Sequence, residues 1–233
     1  MNETPIVECV NLCKAYGFPV LQNMNLCLPR GKIIGLLGPN GSGKTTLIKI
    51  LAGLLKPTSG TVRINGYEPG IETKAIVSYL PERNSIGEWM TADGAIEYYT
   101  DFFKDFDPVR ARQMLNELGV PFDRPIKTLS KGTKEKLQLV MVMSRRAQLY
   151  LLDEPIGGVD PASRDYILNT IIRNYDEEAS VIISTHLISD VERVLDTFLF
   201  LKNGVVTRFG AADTVREHAG KTLDELFRED CRC

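Results

Sequence analysis

Gly38-Pro39-Asn40-Gly41-Ser42-Gly43-Lys44-Thr45 decides how this chain is read. It fits the phosphate-loop pattern G-x-x-x-x-G-K-[ST] at every fixed position. The apolar run Ile33-Ile34-Gly35-Leu36-Leu37 before it reads as a buried parallel strand, and Thr46 to Leu51 after it reads as a helix. That strand–loop–helix context separates a phosphate site from a glycine-rich turn with a chance lysine. Glycines let the backbone curl until its N–H groups point inward at a phosphate. The start of the following helix adds roughly +0.5 of a charge at the same point. Lys44 can reach the β- and γ-phosphates, and the Thr45 hydroxyl can ligate Mg2+. Gly38 through Thr46 are the candidate nucleotide-binding residues.

Composition bounds the rest. At 233 residues, 43% hydrophobic and 25% charged, the chain has the make-up of an ordinary globular protein, as one large domain or two small lobes. The net charge of −2 and the lack of a long basic run argue against a nucleic-acid partner. No uninterrupted apolar stretch approaches the ~18 residues of a membrane span. Met1-Asn2-Glu3-Thr4-Pro5 shows no export signal. The five cysteines are Cys9, Cys13, Cys27, Cys231 and Cys233; an odd count without an export signal points to reduced thiols in the cytoplasm. Cys9 and Cys13 are either metal ligands or small side chains in a strand and its turn, and no second Cys/His pair completes a site. Cys231-Arg232-Cys233 reads as a frayed tail.

Residues 5–30 read as two β-strands, with Tyr16 in the loop between them. An aromatic there offers a flat face to a nucleobase, or serves only in packing. Beyond the phosphate-loop helix, strands are expected at Thr61–Ile64 and Ile76–Leu80, with Glu82 just past the second. Residues 86–146 change character. A helix capped by Thr91 or Asp93, another opened by Asp107-Pro108 and stopped by Gly119, and a third starting near Ser130 form an expected helical insert. The α/β pattern then resumes. Leu149 to Leu152 is a short buried strand ending in Asp153-Glu154, and Val181 to Ser184 is another, ending in Thr185-His186. Strands at Thr197–Leu201 and Val205–Phe209 follow, then a weakly helical end from Asp213 to Glu229.

The chemistry lies at the strand ends, where α/β sheets bind ligands. Asp153 is placed to hold the metal. Glu154 suits the group that orients or deprotonates water. His186 can hydrogen-bond a γ-phosphate or position the water, or be an ordinary loop histidine.

Phosphate loop, Glu82, Leu129-Ser130-Lys131-Gly132-Thr133, Asp153-Glu154, Asp160 and His186 follow one another in an order that resembles the ATP-binding-cassette ATPases, the nucleotide-binding subunits of ABC transporters. The resemblance runs from Tyr16 to roughly Phe209. It implies an adenine-stacking role for Tyr16 and a Walker B role for the strand Tyr150 to Asp153. It makes Glu154 the general base, His186 the switch histidine and Leu129 to Thr133 the signature segment. It places Glu82 at the glutamine-loop position and Gly157-Gly158-Val159-Asp160 at a dimer-crossing loop. Two departures stand out. The family's Leu-Ser-Gly-Gly-Gln is here Leu-Ser-Lys-Gly-Thr, and its loop glutamine is here Glu82.

The expected fold is α/β: a P-loop NTPase core with an N-terminal antiparallel β subdomain and an α-helical insert. Residues 1–85 and 147–212 form the core, 86–146 the insert and 213–233 a tail. The resemblance implies an ATPase using ATP and Mg2+. Thr45, Glu82 and Asp153 would hold the metal, and Lys44, Glu154 and His186 would do catalysis. It implies a head-to-tail homodimer or heterodimer, with Ser130, Lys131 and Gly132 facing the opposing γ-phosphate. The cycle would drive a separate transmembrane permease, leaving this chain cytoplasmic at the inner face of the cell membrane. Trp89 and Met90, near the permease-facing stretch Glu82 to Thr91, would suit contact or core equally. The chain ending soon after the cassette leans toward an exporter. The alternative is a soluble cassette ATPase with a non-transport partner.

Overall fold

In a computed structural model, which describes residues 4–215 and 220–231, the phosphate loop sits at the edge of a parallel sheet. The chain opens with β1 (Val7–Ala15), β2 (Pro19–Leu28), β3 (Ile33–Leu37), α1 (Lys44–Leu51) and β4 (Ser59–Ile64). Next come α2 (Ile71–Ile76) and β5 (Val77–Leu80), then the helical insert of α3 (Ala92–Phe102), α4 (Pro108–Glu117) and α5 (Lys131–Met143). The remainder is β6 (Leu149–Asp153), α6 (Pro161–Asn174), β7 (Ser180–Thr185), α7 (Ile188–Val191), β8 (Thr197–Lys202), β9 (Val205–Ala211), α8 (Ala212–Thr214) and α9 (Leu223–Cys231).

Two sheets form. β2-β1-β4 is antiparallel, and β5-β6-β7-β3-β8-β9 is parallel except for the β8–β9 pair. Every residue of β3, β6 and β7 is buried, as expected of strands covered on both faces. The pleat sorts their side chains by alternation. Ile33 and Leu37 join Tyr150, Leu152 and Ile183 in a core shared with α3 to α6. Ile34 and Leu36 join Leu149, Leu151 and Ile182 in a second core under α1 and the antiparallel sheet. The strands are therefore held from both sides, and their C-terminal ends are fixed relative to one another.

Local chemistry explains most boundaries. Thr91, not Asp93, caps α3, its Oγ1 accepting from Gly94 N at 3.1 Å; Asp93 instead pairs with Arg112. Asp107 caps α4 by accepting from Arg110 N at 3.0 Å, with Pro108 in the first turn. Ser130 caps α5, accepting from Thr133 N at 3.2 Å. Helix α1 starts at Lys44, two residues earlier than expected, because Gly43 takes φ +108° as its cap.

Several expectations need correction. Ile76 ends α2 and does not open β5, and both α2 and α7 went unread. Each is too short to show a 3.6-residue apolar stripe; α2 buries only Thr73. Cys231 lies in α9 and not in a frayed tail, while Arg232 and Cys233 fall outside the described residues. Leu223 and Leu226 of α9, in the stretch read as a tail, are buried in the main core. Cys9 is buried and its thiol is pushed up to about 12 by that burial, the packing alternative of the two offered.

Candidate functional site

Strand register brings the site together. Leu37 of β3 pairs with Thr185 of β7, Leu80 of β5 with Leu152 of β6, and Asp153 of β6 with Ser184 of β7. The loops leaving these strands carry the phosphate loop, Glu82, Glu154 and His186, so four distant stretches of sequence meet at one edge. The phosphate loop is pressed close to the sheet: a Cβ on Gly38 would lie 2.2 Å from Leu201 O. Only glycine fits there.

Lys44 and Glu154 form the electrostatic centre. Lys44 is 5% exposed and Glu154 11% exposed, with Nζ 3.3 Å from Oε1. Lys44 Nζ also donates to Gly38 O at 2.8 Å and to Pro39 O at 3.2 Å. Glu154 receives Thr185 Oγ1 at 3.1 Å and faces His186 Nδ1 at 3.1 Å. Its backbone is in the left-handed region at φ +50°, with its N–H on Ser184 O at 3.0 Å. A non-glycine residue held there costs about 1–3 kcal/mol and persists only when its surroundings over-determine it.

Asp153 is buried behind this pair. Its Oδ1 accepts from Ser184 Oγ at 2.6 Å and from Thr45 Oγ1 at 3.1 Å. Burial holds its carboxyl above the usual carboxylate range; the Ser184 and Thr45 hydrogen bonds oppose this, and the charges of Glu82 and Glu154 add to it. Among the described residues, the buried side-chain oxygens and nitrogens left without a hydrogen-bond partner are Asp153 Oδ2 and Ser42 Oγ. An orphaned buried polar atom carries a real cost, about 1–3 kcal/mol. One orphan is on the phosphate loop and the other at the end of β6.

The oxygens of Thr45 and Asp153 fit a hard divalent cation. Mg2+ is held by one or two carboxylates plus substrate phosphates rather than by an all-protein cage. Among the described residues, no cluster of three or more His, Cys, Asp or Glu is arranged to hold a metal.

Two cavities adjoin at Asn40, Glu82 and Glu154. One, about 330 Å³, is lined by Val20, Lys44, Thr45, Thr46, Glu82 and Glu154, among others. The other, about 570 Å³, reaches from Asp153 and His186 to Lys131 and Gln138. Glu82 is exposed and lines both. Lys131 is 74% exposed, with Nζ 3.7 Å from Glu135 Oε1. Tyr16, Ser130 and Gly132 line neither cavity. Tyr16 is 50% exposed, with Lys14 Nζ 4.9 Å from its ring centroid. Sequence reasoning missed Ser184, Thr185 and Gln138. The signal for the first two was a polar pair closing an otherwise apolar strand.

The chain is similar to known proteins over most of its length. A family model described as ABC transporter matches residues 21–157, more than half of the 233. The chain is 31% identical over 216 residues to the ABC transporter ATP-binding protein YtrB of Bacillus subtilis, covering 91% of this chain and 74% of the relative. It is 30% identical to the lantibiotic transport ATP-binding protein SrtF of Streptococcus pyogenes, covering 95% and 96%. Among solved structures, an ATP-binding subunit of an ABC transporter superposes with a TM-score of 0.85 at 30% identity, covering 96% of this chain and 98% of that one. A dimeric ATP-binding cassette bound to ADP and Pi shares the fold, with a TM-score of 0.77 at 21% identity, covering 88% and 98%.

Proposed function

The chain belongs to the ATP-binding proteins of ABC transporters, and from that premise we propose how its residues serve an ATP-driven transport cycle. It is an ATPase subunit. The backbone and side chains of Gly38 to Thr46 take the triphosphate, with Lys44 on the β- and γ-phosphates. Thr45, Asp153 and Glu82 would hold Mg2+. Bound there, the metal would neutralise charge on the phosphate oxygens. Glu154 takes a proton from the attacking water. The water oxygen bonds to the γ-phosphorus, the bond to the β-phosphate oxygen breaks, and ADP and phosphate leave. His186 holds the Glu154 carboxylate through Nδ1, which leaves its other nitrogen for the γ-phosphate.

The observation that carries this reading is the orphaned buried oxygen Asp153 Oδ2, on a residue that lines the larger cavity. A divalent cation bound with the triphosphate would supply its partner. A head-to-tail dimer is the assembly that membership of this family suggests; of the α5 start, Lys131 lines the larger cavity and Ser130 and Gly132 line neither. In the dimer the α5 start, with Lys131, meets the partner's γ-phosphate at a helix N-terminus.

No helix among the described residues is long and apolar enough to cross a membrane. A transmembrane permease is the partner we propose, supported by the transport names of the relatives and met by the stretch Glu82 to Thr91, where Trp89 is 78% exposed. That places the chain on the cytoplasmic face of the membrane. Export is the direction we propose, supported by likeness along nearly the whole chain to a lantibiotic transport protein. The test is affinity purification from detergent-solubilised membranes. Recovery of a multi-span protein that stimulates the ATPase supports the reading; recovery only in the soluble fraction, with no membrane partner, contradicts it.

A further inference from the structure

Helix α5 reaches the Glu82 loop through a buried glutamine. Gln138 is 4% exposed, and its Nε2 donates to Pro81 O at 3.1 Å and to Arg83 O at 3.4 Å. Pro81 and Arg83 are the two neighbours of Glu82. An amide nitrogen has two hydrogens to donate, so one side chain holds both flanks of the loop residue. Residues 81–85 belong to no strand or helix, so the backbone there is not fixed by a ladder. A leucine or methionine at 138 would fill a similar volume of the helix face and make neither bond.

The same helix face continues to the α5 start. Lys131, Lys134, Glu135 and Gln138 stand at i, i+3, i+4 and i+7, and all line the cavity that Glu82 also lines. With a rise of about 1.5 Å per residue, α5 is a rod of roughly 20 Å between the signature segment and the core.

We propose that Gln138 is a positioning residue for Glu82. It fixes the carboxylate over the phosphate-loop cavity and ties that position to α5, whose first turn faces the opposing nucleotide. The role deepens the functional reading above and rests on Glu82 serving as a Mg2+ ligand. Displacement of α5 at its signature end is then felt at the metal of the chain's own site.

The test uses four proteins, each carrying Glu154→Gln so that nucleotide is not consumed: that parent, Gln138→Met, Glu82→Ala and the double variant. Methionine keeps the length and burial of Gln138 and removes the donors. The readout is the factor by which Mg2+ tightens binding of a fluorescent ATP analogue over its binding in EDTA. Gln138→Met lowers that factor several-fold and leaves binding in EDTA unchanged. In the Glu82→Ala background it changes nothing further, because coupled residues are not additive. Gln138→Leu, which also lacks donors and stays apolar in the buried site, gives the same loss and serves if the methionine variant folds poorly. If Glu82→Ala lowers the factor and Gln138→Met does not, the role of Gln138 is overturned and that of Glu82 stands. Equal losses from Gln138→Met in both backgrounds also overturn it. If Glu82→Ala leaves the factor unchanged, the metal role of Glu82 is overturned and the positioning role falls with it.

Discussion

Lys44 Nζ lies 3.3 Å from Glu154 Oε1, so the phosphate-loop lysine and the carboxylate next to the Walker B aspartate neutralise each other inside the site. An ammonium group has three hydrogens to donate. Gly38 O and Pro39 O accept two of them, and the Glu154 carboxylate lies within ion-pair distance. In the proposed cycle a γ-phosphate entering the loop would compete with Glu154 for Lys44 and so free the base once its substrate is in place.

The first prediction follows from that burial. Removing one partner of a buried ion pair strands the other charge, at about 3–5 kcal/mol. His186 and Thr185 still hold Glu154, so Lys44→Ala should fall at the low end of that range. Lys44→Ala combined with Glu154→Gln should recover part of the loss. Denaturant melts of the two single variants and the double give the coupling; strictly additive losses would mean the pair contributes nothing.

Tyr16 tests the base site. Its ring is half exposed, so little core packing is at stake when it is removed. Stacking on adenine tolerates any ring and is worth about 1–3 kcal/mol per base. Tyr16→Ala should weaken ATP binding by that amount, with Tyr16→Phe close to wild type. Unchanged affinity in the alanine variant would return Tyr16 to a surface role.

How much of this was legible depended on how local the signal is. The phosphate loop showed itself because each fixed residue answers one geometric demand, as Gly38 does against Leu201 O. Asp153 and Glu154 showed themselves because an apolar run that stops in two acids has few other readings. Ser184 and Thr185 did not, because their partners Asp153 and Glu154 are some thirty residues away and are set by strand register. Gln138 was hidden for the same reason: a polar residue in a helix reads as solvent-facing until the loop it holds is placed against it. The departure at Lys131 was visible, but not its exposure or its pairing with Glu135.

That lysine gives a third prediction. A cation at the start of α5 adds attraction for the opposing γ-phosphate where glycine offers only an N–H, and salt screens it. Lys131→Gly, in the Glu154→Gln background, should weaken the ATP-dependent dimer and reduce its sensitivity to salt. Light scattering across a salt series reads both. The same monomer–dimer equilibrium with and without Lys131 would make it a surface lysine.

Asp107 gives a pH dependence. Its carboxyl is held below the usual range, first by the Arg110 N–H it caps and then by Arg146. A depressed carboxylate contributes stability that is present above its unfolded pKa and is lost as pH falls through the folded value. Asp107→Ala should cost about 1 kcal/mol at pH 7, as cap removal does. The gap to wild type should narrow below about pH 4, near the ordinary aspartate value. Thermal melts between pH 7 and pH 3 check this, and a gap independent of pH would assign the effect to packing.

The central claim is that Glu154 accepts the proton of the attacking water. The direct measurement is the ATP turnover of Glu154→Gln against wild type at saturating Mg2+ and ATP. General-base removal predicts a rate lower by about 10²–10⁴-fold with ATP still bound. A Glu154→Gln protein that hydrolyses ATP at the wild-type rate would contradict the account.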